Sequence, residues 1–261
     1  MRMMPRPDSK PIRENLQKMG LFLYVFMFSM GFGITIPAVP IFARDIGTSY
    51  IGVGLVGVAY GLSYTILAIP LGRLSDRVGR KSVFAFASIL SLVASLSYVF
   101  ASRTEHLMVA RALEGVAWAS FFPTVEAVSA DLSVQTKHGR AMDLFAALYG
   151  SGYAFGSFTS GSILEIAGYR ATFISYALMS FTALVLILLR SSGSATKPAR
   201  TVEGMIMKMN IDKSSGNPLF YACLVSAIYS VVLGTILFLF PVFAKDLGFG
   251  VFSIGVMLAI F

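Results

Sequence analysis

Two ionisable side chains stand where ionisation is costly. Arg111 and Glu114 lie within Leu107–Ala130, a mostly apolar run long enough to cross a bilayer. A charge in such a run costs on the order of 2.5–3.5 kcal/mol or more unless it faces a cavity or a partner. Three residues apart on a helix, the two are neighbours. They either neutralise each other as a structural pair, or they serve a proton, because a nearby cation and desolvation pull a carboxylate's affinity for protons in opposite directions. Gly115, Trp118, Phe122 and Glu126 fall within about one quadrant of Arg111 on the helical wheel. That stripe of cation, small residue, aromatics and carboxylate suits the wall of a central cavity taking an apolar or aromatic solute. Ordinary helix packing accounts for Trp118 and Phe122 equally well. Glu126 and Asp143 fall near helix ends, where water can reach them.

Enzyme chemistry finds little footing. The two histidines, His106 and His138, fall in predicted loops without metal-ligand or nucleophile spacing. No cofactor and no metal are expected. Small residues are better placed: Gly152, Gly156 and Ser160 form a four-residue-spaced seam that lets a neighbouring helix backbone approach. Gly31, Gly33, Pro37 and Pro40 argue for a bent first helix, with Tyr24, Met27 and Thr35 as candidate wall residues there and Gly57, Gly61, Ser63 and Tyr64 as candidates in the second.

These residues need a membrane to position them. Of 261 residues, 56% are hydrophobic and only 13% charged, about half the charged fraction of soluble domains. A bilayer core takes about 20 apolar residues per helix, and the predicted spans are Leu21–Ala43, Ile51–Leu71, Ser82–Ala101, Leu107–Ala130, Ala141–Leu164, Ala171–Leu189, Leu219–Ala244 and a partial one from Val251. The lone cysteine, Cys223, excludes an intrachain disulfide. The net charge of +8 does not signal nucleic acid, because the cations are scattered between spans. Of the 21 Lys and Arg, 16 lie before the first span or after the second, fourth and sixth, 4 lie in the alternate loops, and Arg111 is inside a span. The positive-inside rule therefore puts the N-terminus in the cytoplasm.

The segment from Pro40 to Gly47, PIFARDIG, recurs 201 residues later as PVFAKDLG from Pro241 to Gly248, and Gly54 and Gly255 keep the same offset. Six spans separate the copies, so both face the same way, as in a parallel repeat of six-helix units. The matched prolines read as helix terminators and the glycines as stops. The domains expected are a cytoplasmic tail over 1–20, a six-helix half over 21–190, a cytoplasmic linker over 191–217 and the start of a second half over 218–261. Within the linker, Val202, Met205, Ile206 and Met209 keep helical spacing, which fits either a surface helix or a flexible tether.

Between the second and third spans the chain reads Gly72, then Asp76-Arg77, Gly79 and Arg80-Lys81. This spacing, G-x-x-x-D-R-x-G-R followed by a cation, resembles the cytoplasmic loop of the major facilitator superfamily. Leu107, Arg111 and Gly115 resemble its fourth-helix element, and Gly168-Tyr169-Arg170 with Phe173 its entry to the sixth helix. Gly152 and Gly156 resemble the fifth-helix motif of the drug and metabolite–proton antiporter branch, with Ser157 standing where that motif has proline. The resemblance implies an all-α membrane protein: the six-helix N-terminal half of a 12-helix fold, plus the seventh and part of the eighth helix. It implies that Gly72, Asp76, Arg77, Gly79, Arg80 and Lys81 form a gating loop, and that Arg111 takes part in proton coupling. The expected function is export or exchange of a small organic solute by alternating access, coupled to protons, in a multi-pass protein of the plasma (inner) membrane that is monomeric when full length. An uncoupled facilitator or importer is the alternative within transport, favoured by the missing proline. A membrane receptor or sensor is the alternative from another class, disfavoured by the repeat. The chain ends inside an apolar run, so a truncated product unable to transport alone is also expected.

Overall fold

The computed structural model describes residues 9–136, 140–189 and 218–260, and all of its regular structure is helical. The helices are α1 (Ser9–Asp45), α2 (Tyr50–Val78), α3 (Arg80–Val99), α4 (Thr104–Thr136), α5 (Arg140–Leu189), α6 (Pro218–Asp246) and α7 (Val251–Ile260). The linker, with its candidate surface helix, lies outside the described residues.

Among the described residues, five stretches are long and apolar enough to cross a membrane: Met19–Asp45, Tyr50–Val78, Arg80–Val99, Met142–Leu189 and Ile228–Asp246. The fourth runs 48 residues, about 72 Å of straight helix against a bilayer core of about 30 Å. Gly168, with φ of 75° and ψ of −177°, breaks it into two arms. Those arms are the fifth and sixth spans of the sequence reading. α4 falls short of that apolar mark because Arg111, Glu114 and Glu126 sit among alanines and serines. It lies instead in the shelter of α2, α3 and α5, with Ala110, Arg111, Glu114, Ala117 and Phe121 buried.

The helices run several residues past the expected spans, since their ends reach beyond the hydrocarbon, where charges are solvated. α2 continues to Val78 and α3 starts at Arg80, so the expected loop shrinks to Gly79, whose φ of 92° favours glycine. α1 starts at Ser9, so part of the tail is helical.

Pro40 and Pro241 correct one expectation. Neither terminates its helix; each lies inside it, five residues before the last helical residue. What ends both helices is glycine: Gly47 (φ 88°) and Gly248 (φ 89°). In the first copy Gly47 donates to the Arg44 carbonyl (3.0 Å) and Thr48 to that of Ala43 (3.0 Å). In the second, Gly248 donates to Lys245 (2.9 Å) and Phe249 to Ala244 (3.1 Å). Both are Schellman caps, one hydrogen bond from each of the two residues after the helix back to its last turn.

α1 packs most extensively against α5, along the glycine seam. A Cβ on Gly152 would stand 2.6 Å from the Phe26 carbonyl oxygen, and one on Gly156 2.2 Å from that of Met30. Ser160 donates to the Ile34 carbonyl at 2.7 Å. The seam thus brings two backbones to a separation no side chain would permit.

Candidate functional site: a buried ion pair behind an aromatic cavity

Arg111 and Glu114 are both fully buried, with Nη1 of the arginine 2.6 Å from Oε2 of the glutamate. The pair is embedded in partners from two further helices. Tyr98 of α3 donates its hydroxyl to Glu114 Oε2 at 2.7 Å. Thr35 of α1 stands 2.9 Å from Glu114 Oε1, and it receives Nη1 of Arg111 on its hydroxyl and Nη2 on its carbonyl, each at 3.3 Å. Glu114 therefore has three donors around it, and the arginine's charge is answered within one turn of its own helix. Arg111 Nε has no hydrogen-bond partner among the described residues.

On its other side the guanidinium meets aromatic faces, lying 4.9 Å from the Phe238 ring centre and 5.9 Å from that of Tyr60. Both rings line a cavity of about 940 Å³ between α1, α2, the first arm of α5, α6 and α7. Phe32, Tyr64, Tyr149, Tyr153 and Tyr229 supply most of its other aromatic wall. The ion pair is thus one ring behind the cavity surface, and Phe238 carries the contact across to α6.

The five candidate wall residues of α4 come together, but none lines this cavity. Trp118 is almost fully buried against Phe28, Phe32, Phe121 and Tyr149. Phe122 packs on Trp118 and Tyr149. Gly115 faces α2, where a Cβ would come within 2.4 Å of the Tyr60 carbonyl oxygen. The wall is made instead by glycines and tyrosines of α2, among them the candidates Gly57, Gly61 and Tyr64 but not Ser63, by those of α5, and by α6, whose contribution no spacing within one helix could reveal. Thr35 was legible as a polar residue in an apolar helix; Tyr98, at a span's end, gave no signal.

The expected gating residues sit together at the far end of α2 from Tyr50. Asp76 and Arg77 are exposed on the last turn of α2, and Gly72 lies near Pro123 of α4. Arg80 pairs with Asp131 at 2.5 Å, tying the start of α3 to α4, and Lys81 donates to the Leu188 carbonyl at 3.0 Å. Among the described residues no cluster of three or more His, Cys, Asp or Glu could hold a metal ion.

Comparison with known proteins agrees with this architecture. The chain is 24% identical over 195 residues to the quinolone resistance protein NorA of Staphylococcus aureus, covering 74% of this chain and 50% of that protein. It is 24% identical over 166 residues to an uncharacterized MFS-type transporter of Methanocaldococcus jannaschii, covering 64% of this chain and 43% of that one. The chain spans about half the length of the curated relatives it matches. The model of the Major Facilitator Superfamily matches residues 21–261, nearly the whole sequence, and the chain belongs to that family of membrane transporters.

Proposed function

We propose that these residues build one side of the solute path of a secondary transporter, which exports a small organic solute by alternating access in exchange for protons. The observation that carries the reading is the placement of the Arg111–Glu114 pair, buried and neutralised, one ring behind a cavity of aromatic walls. Glu114 is the proton-accepting group and Arg111 its partner. Protonation removes the carboxylate's charge, releases Arg111 from its closest contact and changes what Phe238 packs against. A coupling proton thereby bears on the contact between the two repeats.

The same reading makes the turn at Asp76 and Gly79 the inner gate and places the N-terminus in the cytoplasm of a plasma (inner) membrane protein that acts as a monomer. The aromatic cavity fits flat, apolar ring systems. NorA's name connects it with quinolones, so a fluorescent quinolone is the first solute to try. Ser157, which departs from the antiporter motif, has a packing role described below, and its presence does not favour the uncoupled reading.

The test is quinolone flux in proteoliposomes with and without an imposed pH gradient. Faster flux with the gradient supports coupling; equal rates in both conditions exclude it.

A further inference from the structure

The two copies of the repeated segment are paired with each other. Arg44 of the first copy lies 3.4 Å from Asp246 of the second, and Lys245 of the second contacts Asp45 of the first. Each cation of one copy thus meets the acid of the other, a reciprocal arrangement that follows from two adjacent opposite charges repeated on α1 and α6. Each acid is also held by a tyrosine of the first half: Tyr50 donates to Asp246, and Tyr169, beside the break at Gly168, donates to Asp45. Arg44 stacks over the Tyr50 ring at 4.8 Å. The Schellman caps hold both charge couples at matching helix ends.

We propose that this double charge couple is a clamp that closes one end of the interface between the two repeats, and hence one end of the cavity between α2, α5 and α6. The proposal rests on the transporter reading above for which side of the membrane it closes: the outer side, opposite the turn at Gly79. The four side chains are each about one-third exposed, so the clamp is weak enough to open in a transport cycle. Two pairs closing together still hold better than one.

The test uses the protein with Cys223→Ser and Ala154→Cys, the latter placing one thiol in the cavity wall. Labelling by a membrane-impermeant maleimide is measured from each side. Asp45→Lys and Lys245→Asp, made singly, should each speed labelling from outside about fivefold, equivalent to about 1 kcal/mol. The two together, which restore opposite charges across the interface, should return it towards the parent rate. A thermal unfolding transition in detergent like the parent's shows that the variants are folded. Tyr50→Phe, which removes one hydroxyl and no charge, should give a smaller rise in the same direction. Unchanged outside labelling in both single variants, or a double variant as fast as the singles, overturns the clamp. Ser102→Cys in the same Cys223→Ser background, on the loop between α3 and α4, reads orientation separately. Its labelling only from the cytoplasm would reverse the sides and refute the orientation while leaving the charge-swap comparison intact.

Discussion

Ser157 donates a hydrogen bond to the Gly33 carbonyl at 3.2 Å, the carbonyl that Pro37, four residues on and without an N–H, cannot serve. A proline in a spanning helix frees an acceptor that lipid cannot satisfy, and a hydroxyl on the neighbouring helix is one remedy. The serine standing where the antiporter motif has proline is thereby explained by α1 rather than by the solute. Ser157→Ala should destabilise the protein by about 0.6–1.7 kcal/mol, and Ser157→Thr, if its methyl is accommodated, should recover part of that. Thermal unfolding in detergent checks this, and an alanine variant as stable as the parent would count against it.

The glycine seam makes a contrast within one helix. A Cβ at Gly156 would lie 2.2 Å from the Met30 carbonyl oxygen, whereas one at Gly150 would meet nothing within 4 Å. Gly156→Ala must push two backbones apart and should cost about 1–3 kcal/mol. Gly150→Ala should be neutral or gain up to about 1 kcal/mol, since helix-interior glycine is entropically costly. The same unfolding measurement separates them; equal effects would mean that α1 and α5 do not touch along this line.

Trp118 is the single tryptophan, and it sits 4.3 Å ring to ring from Phe32 and 5.7 Å from Tyr149, both of which line the cavity. Solute entering the cavity should therefore change its emission without touching it. Titration with a quinolone is expected to give saturable quenching that Tyr149→Ala weakens and that Phe100→Ala, at the exposed end of α3, leaves alone. Non-saturable quenching would place the solute elsewhere.

At the clamp, the Tyr50 hydroxyl and then the Arg44 cation hold the Asp246 carboxyl below its ordinary range, with Lys245 adding in the same sense. The same hydrogen bond keeps the Tyr50 phenol above its ordinary range. The acid is depressed in the folded state, so its contribution is present above the ordinary carboxylate value and is lost as pH falls through the lowered one. The phenol is raised, so its contribution is lost only as pH climbs through the raised value. The ratio of outside labelling of Ala154→Cys to that of the exposed Ser102→Cys, which cancels the pH dependence of the thiolate itself, should accordingly be flat from about pH 5 to 8 and rise only at pH below about 4. A rise already between about pH 6 and 5 would point to a group other than the Asp246 carboxylate.

Much of the architecture could be read from the sequence because lipid imposes it. Long apolar runs, the distribution of cations and the repeat at Pro40 and Pro241 announce themselves without tertiary information. The helix ends are less legible: the repeat reads Pro40 and Pro241 as terminators, whereas each lies inside a helix that runs on to the glycine after it. The α4 stripe identified the buried pair because a charge in an apolar run is itself a signal. It did not identify the cavity wall, because Trp118 and Phe122 look alike whether they face a cavity or a core. Tyr98 and Phe238 come from helices remote in sequence, and only packing brings them to Glu114 and Arg111.

The central claim is that Glu114 carries the coupling proton, and Glu114→Gln tests it most directly. Glutamine keeps the shape and remains neutral at every pH. In proteoliposomes, the variant should still exchange labelled quinolone for unlabelled quinolone but should no longer accumulate it when a pH gradient is imposed. Accumulation at the parent level would contradict the claim.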